Sequence, residues 1–285
     1  MVITISCGNY DQLWCTTSLR GVIGGTLRVD VLNEGVHSGD TGGVVPSSFR
    51  VLRQLLGRIE DASDGNVLLP ALHVDIPAER SQQAGQAAEV LGDMVFDKFP
   101  FANTTQPSGN DLSELVLHRT WQPSVEITGA GGIPSIDNAG NVLRPWTAAK
   151  ISVRIPPTCD AEQASQLLKE VLENDPPYQA SVSFSGDQAS DGWNAPPLAN
   201  WLGESVNKAS LAFFDKPAVY MGEGGTIPFM AMLGEQFPDA QFLITGVLGP
   251  QSNTHGPNEF LQIPTGKRVT ACVAQVIADH HLAFT

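Results

Sequence analysis

The sequence lacks the features that mark membrane, nucleic-acid-binding and secreted proteins. It has no apolar run of about 18 residues, so no membrane span is predicted. Cations are scarce, with 16 Lys and Arg against 30 Asp and Glu, and such a surface repels phosphate backbones and anionic lipids. The 4 cysteines form no Cys-x-x-Cys motif, which favours free thiols in a reduced, cytoplasmic compartment. The segment Met1–Ile5 lacks the basic start of a signal peptide and has the composition of a strand.

The sequence also lacks a convincing set of metal ligands. His255 stands in a loop of turn-forming residues with one carboxylate, Glu259, near the end of the loop. A neutral imidazole is the commonest side-chain ligand of zinc, but a zinc ion needs about three or four ligands. No further residues complete such a set, so we expect this chain to carry only part of an active site.

What the sequence does have is the composition of a globular protein, with 285 residues of which 42% are apolar and 16% charged. This length suffices for one large or two ordinary domains. In the N-terminal part, hydrophobic periodicity predicts the order β-α-β-β-α-β, the split βαβ pattern of a two-layer α/β sandwich. The predicted strands are 26–31, 121–128, 148–155 and 178–184, and the predicted helices begin near Pro46 and at Asp160.

The C-terminal part predicts a different arrangement. Residues 185–197 are rich in Gly, Ser, Asp and Pro, which is typical of a linker. Beyond them, alternating helices and strands indicate part of a doubly wound sheet. The predicted helices are 197–213, 227–236 and 265–281, and the predicted strands are 217–221 and 241–245. Residues 62–120 are less regular, and we interpret them as an insertion with a helix over 79–98.

Three further loops contain residues that suit ligand binding. His37 lies between two glycines that leave space around the imidazole, although an ordinary turn explains the same pattern. Asn141 precedes a strand with Arg154 near its end, where a guanidinium either holds a carboxylate or contacts solvent. Residues 222–228 place Glu223 and consecutive glycines before a helix, where backbone N–H groups can hold an oxyanion.

Taken together and in order, these motifs resemble those of one family. They are Gly-x-His-Ser-Gly at 35–39, Arg154 in a strand that ends in Pro156, Glu-Gly-Gly-Thr-Ile-Pro at 223–228 and Ser-Asn-x-His-Gly-x-Asn-Glu at 252–259. The sequence is similar to the di-zinc exopeptidases of the carnosinase, acetylornithine deacetylase and succinyl-diaminopimelate desuccinylase family. The carnosinase-like dipeptidase branch fits best, and the resemblance extends over nearly all of the chain.

The resemblance implies a catalytic domain interrupted by a lid domain that dimerises. Residues 1–18 and 187–285 would belong to the catalytic domain, and residues 19–186, with the insertion at about 62–120, would form the lid. The fold class that it implies is α/β, with a two-layer sandwich lid and the C-terminal part of a doubly wound zinc-peptidase domain. The implied assembly is a homodimer formed through the lid.

The resemblance also implies roles for single residues. His255 would bind zinc, and His37 would reach the active site of the partner subunit and donate a hydrogen bond to the oxyanion. Asn141 would contact the substrate, and Arg154 would hold its terminal carboxylate. The wall of the substrate pocket would be formed by Glu223, Gly224, Gly225 and Thr226. The substrate would be a small peptide or acyl-amino acid, whose amide bond is attacked by a water that two zinc ions activate.

The sequence departs from this family at the metal centre. The family takes its other ligands and its base from a His-x-Asp, an adjacent Glu-Glu pair and a further Asp. No Glu-Glu pair occurs in this chain, residues 2–6 contain no carboxylate, and the His-x-Asp at His73–Asp75 follows His37 and therefore has the wrong order. We therefore expect the chain alone to be inactive, to bind zinc weakly and to need a separate N-terminal half.

Two other interpretations stay open. The chain could be a non-catalytic dimer that binds peptides or carboxylates without cleaving them, or a stable α/β fragment without a present function. An incomplete catalytic domain would leave apolar surface uncovered, so we also expect self-association, with Met1–Ile5 as an unpaired edge strand.

Overall fold

The computed structural model describes residues 7–254 and 256–285, so the predictions for Met1–Ile5 and His255 lie outside the described residues. The chain divides into two compact units. The sandwich unit contains Arg20–Val74 and Gln122–Gly192, and the terminal unit contains the described residues up to Leu19 together with Asp75–Trp121 and Trp193–Thr285. In the described part of the chain, no helix combines the length and the apolar content that crossing a membrane requires.

The elements follow one another in mixed α/β order. The strands of the described part are β1 (Trp14–Leu19), β2 (Gly21–Asp30), β3 (Val36–His37), β4 (Ser124–Gly131), β5 (Val142–Leu143), β6 (Trp146–Ile155), β7 (Ser181–Ser190), β8 (Trp193–Asn194) and β9 (Val219–Glu223). The helices are α1 (Ser38–Thr41), α2 (Ser48–Leu56), α3 (Ala78–Leu91), α4 (Met94–Asp97), α5 (Leu112–Thr120), α6 (Ala161–Glu173), α7 (Asn200–Phe214), α8 (Pro228–Gln236) and α9 (Ile263–Phe284). Short 3-10 turns occur at Pro70–Leu72, Ile136–Asn138 and Pro177–Gln179.

The sandwich unit is a sheet of order β4-β6-β2-β7 with α2 and α6 packed on one face. All of its strand pairs are antiparallel. Residues Ile23, Leu27 and Val29 alternate along β2 and are fully or almost fully buried in the core under the helices, as expected for a sheet with one covered face. The split βαβ prediction is therefore confirmed. Helix α6 begins as predicted, because the carboxylate of Asp160 accepts a hydrogen bond of 2.8 Å from the backbone N–H of Gln163.

The predicted linker at 185–197 is wrong in its first half. Strand β7 continues to Ser190 and pairs with β2 along this length, with a register shift between Gly24 and Gly25. Polar and small residues suit this edge strand because its side chains are largely exposed. The strand predicted at 178–184 also begins too early, since Tyr178 lies in a 3-10 turn with a positive φ of 59°.

The terminal unit is built around β1. Strand β9 pairs parallel to β1, and β8 pairs antiparallel to it. Helices α7 and α9 pack together over a core that includes Leu13, Val206 and Cys272. After residue 197 the first predicted helix, the strand and the second helix are found as α7, β9 and α8, and the last helix is found as α9. The predicted strand at 241–245 is wrong, because this segment forms no regular strand. The Thr16 N–H of β1 donates a hydrogen bond of 2.8 Å to the Ile244 carbonyl in this segment.

Residues 75–121 belong to the terminal unit, which differs from their predicted place in the lid. Helix α3 is tied to this unit by buried polar contacts. Thr17 Oγ1 donates to Gln83 Oε1 over 2.9 Å, and the Arg80 guanidinium donates to the Ala195 carbonyl over 2.8 Å. The predicted helix at 79–98 is broken at Gly92, whose φ of 53° ends α3 before α4 begins.

Candidate functional site

Two of the predicted residues, His37 and Asn141, lie next to each other in the sandwich unit. Strand β3 pairs with β5 so that His37 is opposite Val142. The Ser38 N–H donates a hydrogen bond of 3.0 Å to the Asn141 carbonyl. Both His37 and Asn141 are exposed, so solvent reaches both side chains.

Two glycines allow this short ribbon to form. A Cβ at Gly35 would lie 2.8 Å from Val142 Cγ1, and a Cβ at Gly39 would lie 2.9 Å from His37 Cε1. Any larger residue at either position would push against the paired strand or the imidazole. The Gly-x-His-Ser-Gly motif therefore has a steric reason that is independent of ligand binding.

Arg154 lies on β6 in the same unit, with a second arginine close by. Its Cα partner on β4 is Ser124, so the two side chains share one face of the sheet. The guanidinium of Arg20, which is buried, donates to Ser124 Oγ over 3.2 Å and to the Gln122 carbonyl over 3.1 Å. This end of the sheet therefore presents two guanidinium groups, the side chain best suited to a carboxylate.

The predicted residues 223–226 lie in the terminal unit, where β9 ends. Glu223 is the last residue of β9 and pairs with Leu19 of β1. The Gly224 N–H donates a hydrogen bond to the Glu223 carboxylate. A Cβ at Gly225 would meet no atom within 4 Å, and Thr226 is half-buried before α8 begins. The turn thus leaves open space beside a strand end, which is where ligands bind in sheets of this kind.

Two cations stand near the Glu223 carboxylate. Burial raises the pKa of Glu223, while the positive charges of Arg119 and Lys98 and the Gly224 N–H oppose that rise. Burial of the Lys98 ammonium, with repulsion from Arg119, lowers the pKa of Lys98 to about 8. Burial, helped by the charge of Glu223, raises the pKa of Cys7 to about 12, so this thiol is neutral at physiological pH.

The loop that contains His255 is anchored on the N-terminal side of that residue, which the structure leaves undescribed. Tyr10 Oη donates a hydrogen bond of 3.1 Å to the Pro250 carbonyl, and the Cys7 N–H donates to the Leu248 carbonyl over 2.8 Å. Asn253 has a φ of 54° and accepts a hydrogen bond of 2.8 Å on its carbonyl from the Gly256 N–H. Asn tolerates this left-handed conformation better than most residues, which accounts for its place in the loop.

The described residues do not supply a metal centre. Among residues 7–254 and 256–285, no group of at least 3 His, Cys, Asp or Glu side chains could hold a metal ion. His73 Nε2 lies 2.7 Å from the Val67 carbonyl, so this imidazole makes a structural contact within the sandwich unit. All 4 cysteines are free thiols, as predicted.

Within each unit the structure thus brings some predicted residues together. His37 and Asn141 share one ribbon, and residues 223–226 form one turn. Sequence reasoning missed Lys98 and Arg119, which approach Glu223 from a segment that was predicted to belong to the lid. Nothing in their local sequence marks them, because Arg119 is an ordinary cation in the last turn of a helix.

Comparison with known proteins gives a consistent result. The family model described as the peptidase dimerisation domain matches residues 17–179. The cysteinylglycine-S-conjugate dipeptidase of Corynebacterium striatum is 25% identical over 246 residues, which cover 86% of this chain and 52% of that protein. The Cys-Gly metallodipeptidase DUG1 of Saccharomyces cerevisiae is 24% identical over 254 residues, which cover 87% of this chain and 51% of that protein.

Solved structures show the same fold. The crystal structure of human carnosine dipeptidase 1 matches with a TM-score of 0.72 at 19% identity, covering 98% of this chain and 59% of that one. The dipeptidase Dug1p of Saccharomyces cerevisiae matches with a TM-score of 0.73 at 19% identity, covering 96% of this chain and 58% of that one. The chain spans about half the length of the curated relatives it matches.

Proposed function

Because the chain belongs to the M20 peptidase family, whose dimerisation-domain model covers residues 17–179, we propose that it is the dimerising and substrate-binding portion of a zinc-dependent dipeptidase or related amidohydrolase. The observation that carries this proposal is the match itself. It spans the segments in which His37, Asn141 and Arg154 lie. Its strands form the split βαβ sheet that the sequence predicts.

The sandwich unit and the terminal unit each contain polar groups that suit a small peptide or acyl-amino acid. Arg154, with Arg20 on the same face, holds the carboxylate of the substrate through charge-assisted hydrogen bonds. His37 and Asn141 contact the substrate of the partner subunit in a homodimer. His37 donates a hydrogen bond to the oxygen of the amide that is attacked. The wall of the substrate pocket is formed by Glu223 together with the backbone of Gly224, Gly225 and Thr226.

Zinc and its ligand His255 are part of the proposal, but the residues present do not fit a complete zinc site. A catalytic zinc needs about three protein ligands, and the described residues contain no such group. Hydrolysis by a metal-activated water therefore requires donor groups beyond those that the structure describes, and a separate N-terminal half is one source. We place the protein in the cytoplasm, where its free thiols stay reduced.

A second candidate function is a dimer that binds peptides or carboxylates without cleaving them. The observation that favours it is the same lack of a ligand group among the described residues. The arginines of the sandwich unit and the β3–β5 ribbon would serve this function unchanged. The two candidates therefore agree on binding and differ only in turnover.

Calorimetric titration with the dipeptide Cys-Gly tests the binding that both candidates require. Arg154→Ala removes a charge-assisted contact worth about 1.5–3 kcal/mol, so we expect affinity to fall by about tenfold to a hundredfold. The control is Arg50→Ala, which removes an exposed cation from α2 in the same unit. Equal affinity of the two variants would contradict the role of Arg154, and absence of binding to the unaltered chain would contradict the proposed function.

The assembly is tested separately by light scattering. We expect a mass of at least a dimer, near twice 30.3 kDa or above, because the matched family domain is a dimerisation domain. A monomer at all concentrations would contradict both the dimer and the self-association expected from uncovered apolar surface.

A further inference from the structure

We infer that a groove between α8 and α9 is the docking site for one β-strand of a separate polypeptide, the N-terminal half that completes the proposed enzyme. The inference rests on the proposed function for the identity of this partner. The groove lies wholly within the terminal unit. It is lined by Phe229 and Leu233 of α8, by Val269 and Val273 of α9, and by the segment 242–247, and we call it the α8–α9 groove.

The α8–α9 groove is large and apolar. Its volume is about 970 Å³, and of the described residues that line it only Lys267 is charged. Phe229, Leu261 and Ile263 line the groove and are 38%, 54% and 62% exposed. Large apolar side chains that are exposed together mark an interaction surface. The groove therefore has the character of an interface that lacks its partner.

The segment 242–247 gives the groove an open backbone edge. The Ile244 carbonyl is joined to β1 by the hydrogen bond from the Thr16 N–H. The N–H groups of Leu243, Thr245 and Val247 have no backbone acceptor among the described residues, and in the same part of the chain the buried Oγ1 of Thr245 has no partner. Peptide groups that are screened from water need hydrogen-bond partners. A strand added beside the segment supplies them through its own backbone.

The composition of this edge favours such pairing. Residues 240–249 contain no charged residue and no proline, which are the residues that keep exposed edges from pairing. The segment 242–247 has the length of a usual strand, about five or six residues. The regular sheet of the terminal unit has the order β8-β1-β9 in the described part of the chain, which is fewer strands than the average of about five or six. The terminal unit thus has a sheet that accepts further strands.

The partner that fits best is a foreign polypeptide rather than a second copy of this chain. Helices α8 and α9 both line the groove, so the same edge of a second copy would bring two more helices against them. The matches cover 52% of the Corynebacterium striatum dipeptidase and 51% of DUG1. About half of each relative therefore lies outside the match and can supply the strand. The proposed function requires metal ligands from such a half.

The test is amide hydrogen exchange in the full chain, alone and co-expressed with the half of the Corynebacterium striatum dipeptidase that lies outside the match. In the chain alone we expect fast exchange at Leu243, Thr245 and Val247, because these amides lack acceptors. In the complex we expect exchange at these amides to slow by about tenfold or more. Amides of α6 in the sandwich unit are the control and should not change.

Two substitutions on α9 locate the contact. Ile263→Asp places a charge in the groove, and we expect it to weaken the complex by about tenfold or more. Ile277→Asp is the matched control, because Ile277 lies on the same helix, is 66% exposed and does not line the groove. Since both side chains are exposed, both variants should fold, and sedimentation or light scattering then measures complex formation.

The outcomes separate this inference from the proposed function. No complex with the unaltered chain, or a complex that Ile263→Asp and Ile277→Asp affect equally, would overturn the inference. Protection of residues 243–247 that rises with the concentration of the chain alone would also overturn it, since the occupant would then be a second copy. Failure of the unaltered chain to bind Cys-Gly would contradict the proposed function, and the exchange measurement would still decide whether the groove takes a strand.

Discussion

Replacement of Gly222 by Ala tests the packing that brings α5 to the end of β9. The new Cβ would overlap Ser18 Oγ and lie 2.9 Å from Thr120 Cβ, and both side chains are almost fully buried. Overpacking of this kind costs about 1–3 kcal/mol. Loss of backbone freedom in the unfolded chain offsets about 0.4–1 kcal/mol. At the midpoints of these ranges, we therefore expect Gly222→Ala to lower the free energy of unfolding by about 1.3 kcal/mol.

Urea unfolding followed by Trp fluorescence measures this loss, because Trp14, Trp121, Trp193 and Trp201 all lie in the terminal unit. Gly225→Ala is the matched control. Its Cβ would meet no atom within 4 Å, so its effect should stay within about 0.5 kcal/mol. Equal stability of the two variants would refute the steric reasoning.

Substitution of Ser18 distinguishes the contact with Ser18 from the contact with Thr120. Ser18 Oγ is buried, and no described group pairs with it, so Ser18→Ala alone should be neutral or stabilising. Combined with Gly222→Ala it removes the closer of the two contacts, and the double variant should recover part of the lost stability. The contact with Thr120 remains, so full recovery would contradict the role given to α5.

Three further predictions concern charges. Arg58 donates hydrogen bonds of 3.0, 2.5 and 2.6 Å to the carbonyls of Val171, Asn174 and Asp175 at the end of α6. Arg58→Met should therefore lower the stability of the sandwich unit by about 1–3 kcal/mol. Urea unfolding measures this loss, and an unchanged stability would contradict the prediction. Lys98, with its pKa of about 8, should be acetylated at pH 8 faster than Lys169 when both are followed by mass spectrometry, and equal rates would argue against its desolvation. Because the folded-state pKa of Glu223 is raised, its contribution to stability should be present at low pH and be lost as pH rises through that pKa. Glu223→Gln should remove this dependence, and a pH profile unchanged by the substitution would contradict it.

The fold was largely predictable because local signals agreed with the final packing. Alternation in β2 and the capping carboxylate of Asp160 both predicted the elements that form. Errors arose where a local signal had two meanings. The polar run after residue 185 suited an edge strand as well as a linker, and the helix at 79–98 has the same pattern whichever unit it packs against. Only the long-range contacts of α3, such as Thr17 with Gln83, decide its place.

The site was predictable where a motif is local and not where distant segments meet. His37 and Asn141 each lie in a recognisable loop, although their pairing through β3 and β5 needed the structure. Arg119 and Lys98 could not be found from sequence, because an ordinary surface cation and one whose charge acts on a carboxylate far along the chain have the same residue type. The difference between them is tertiary desolvation, which no local pattern encodes.

The most direct test of the account is the zinc content of the purified chain after dialysis, measured together with hydrolysis of Cys-Gly. We predict less than one tightly bound zinc per chain and no turnover, with turnover appearing only when a polypeptide that supplies His-x-Asp and Glu-Glu ligands is added. Two zinc ions per chain with Cys-Gly cleavage by the chain alone would contradict it.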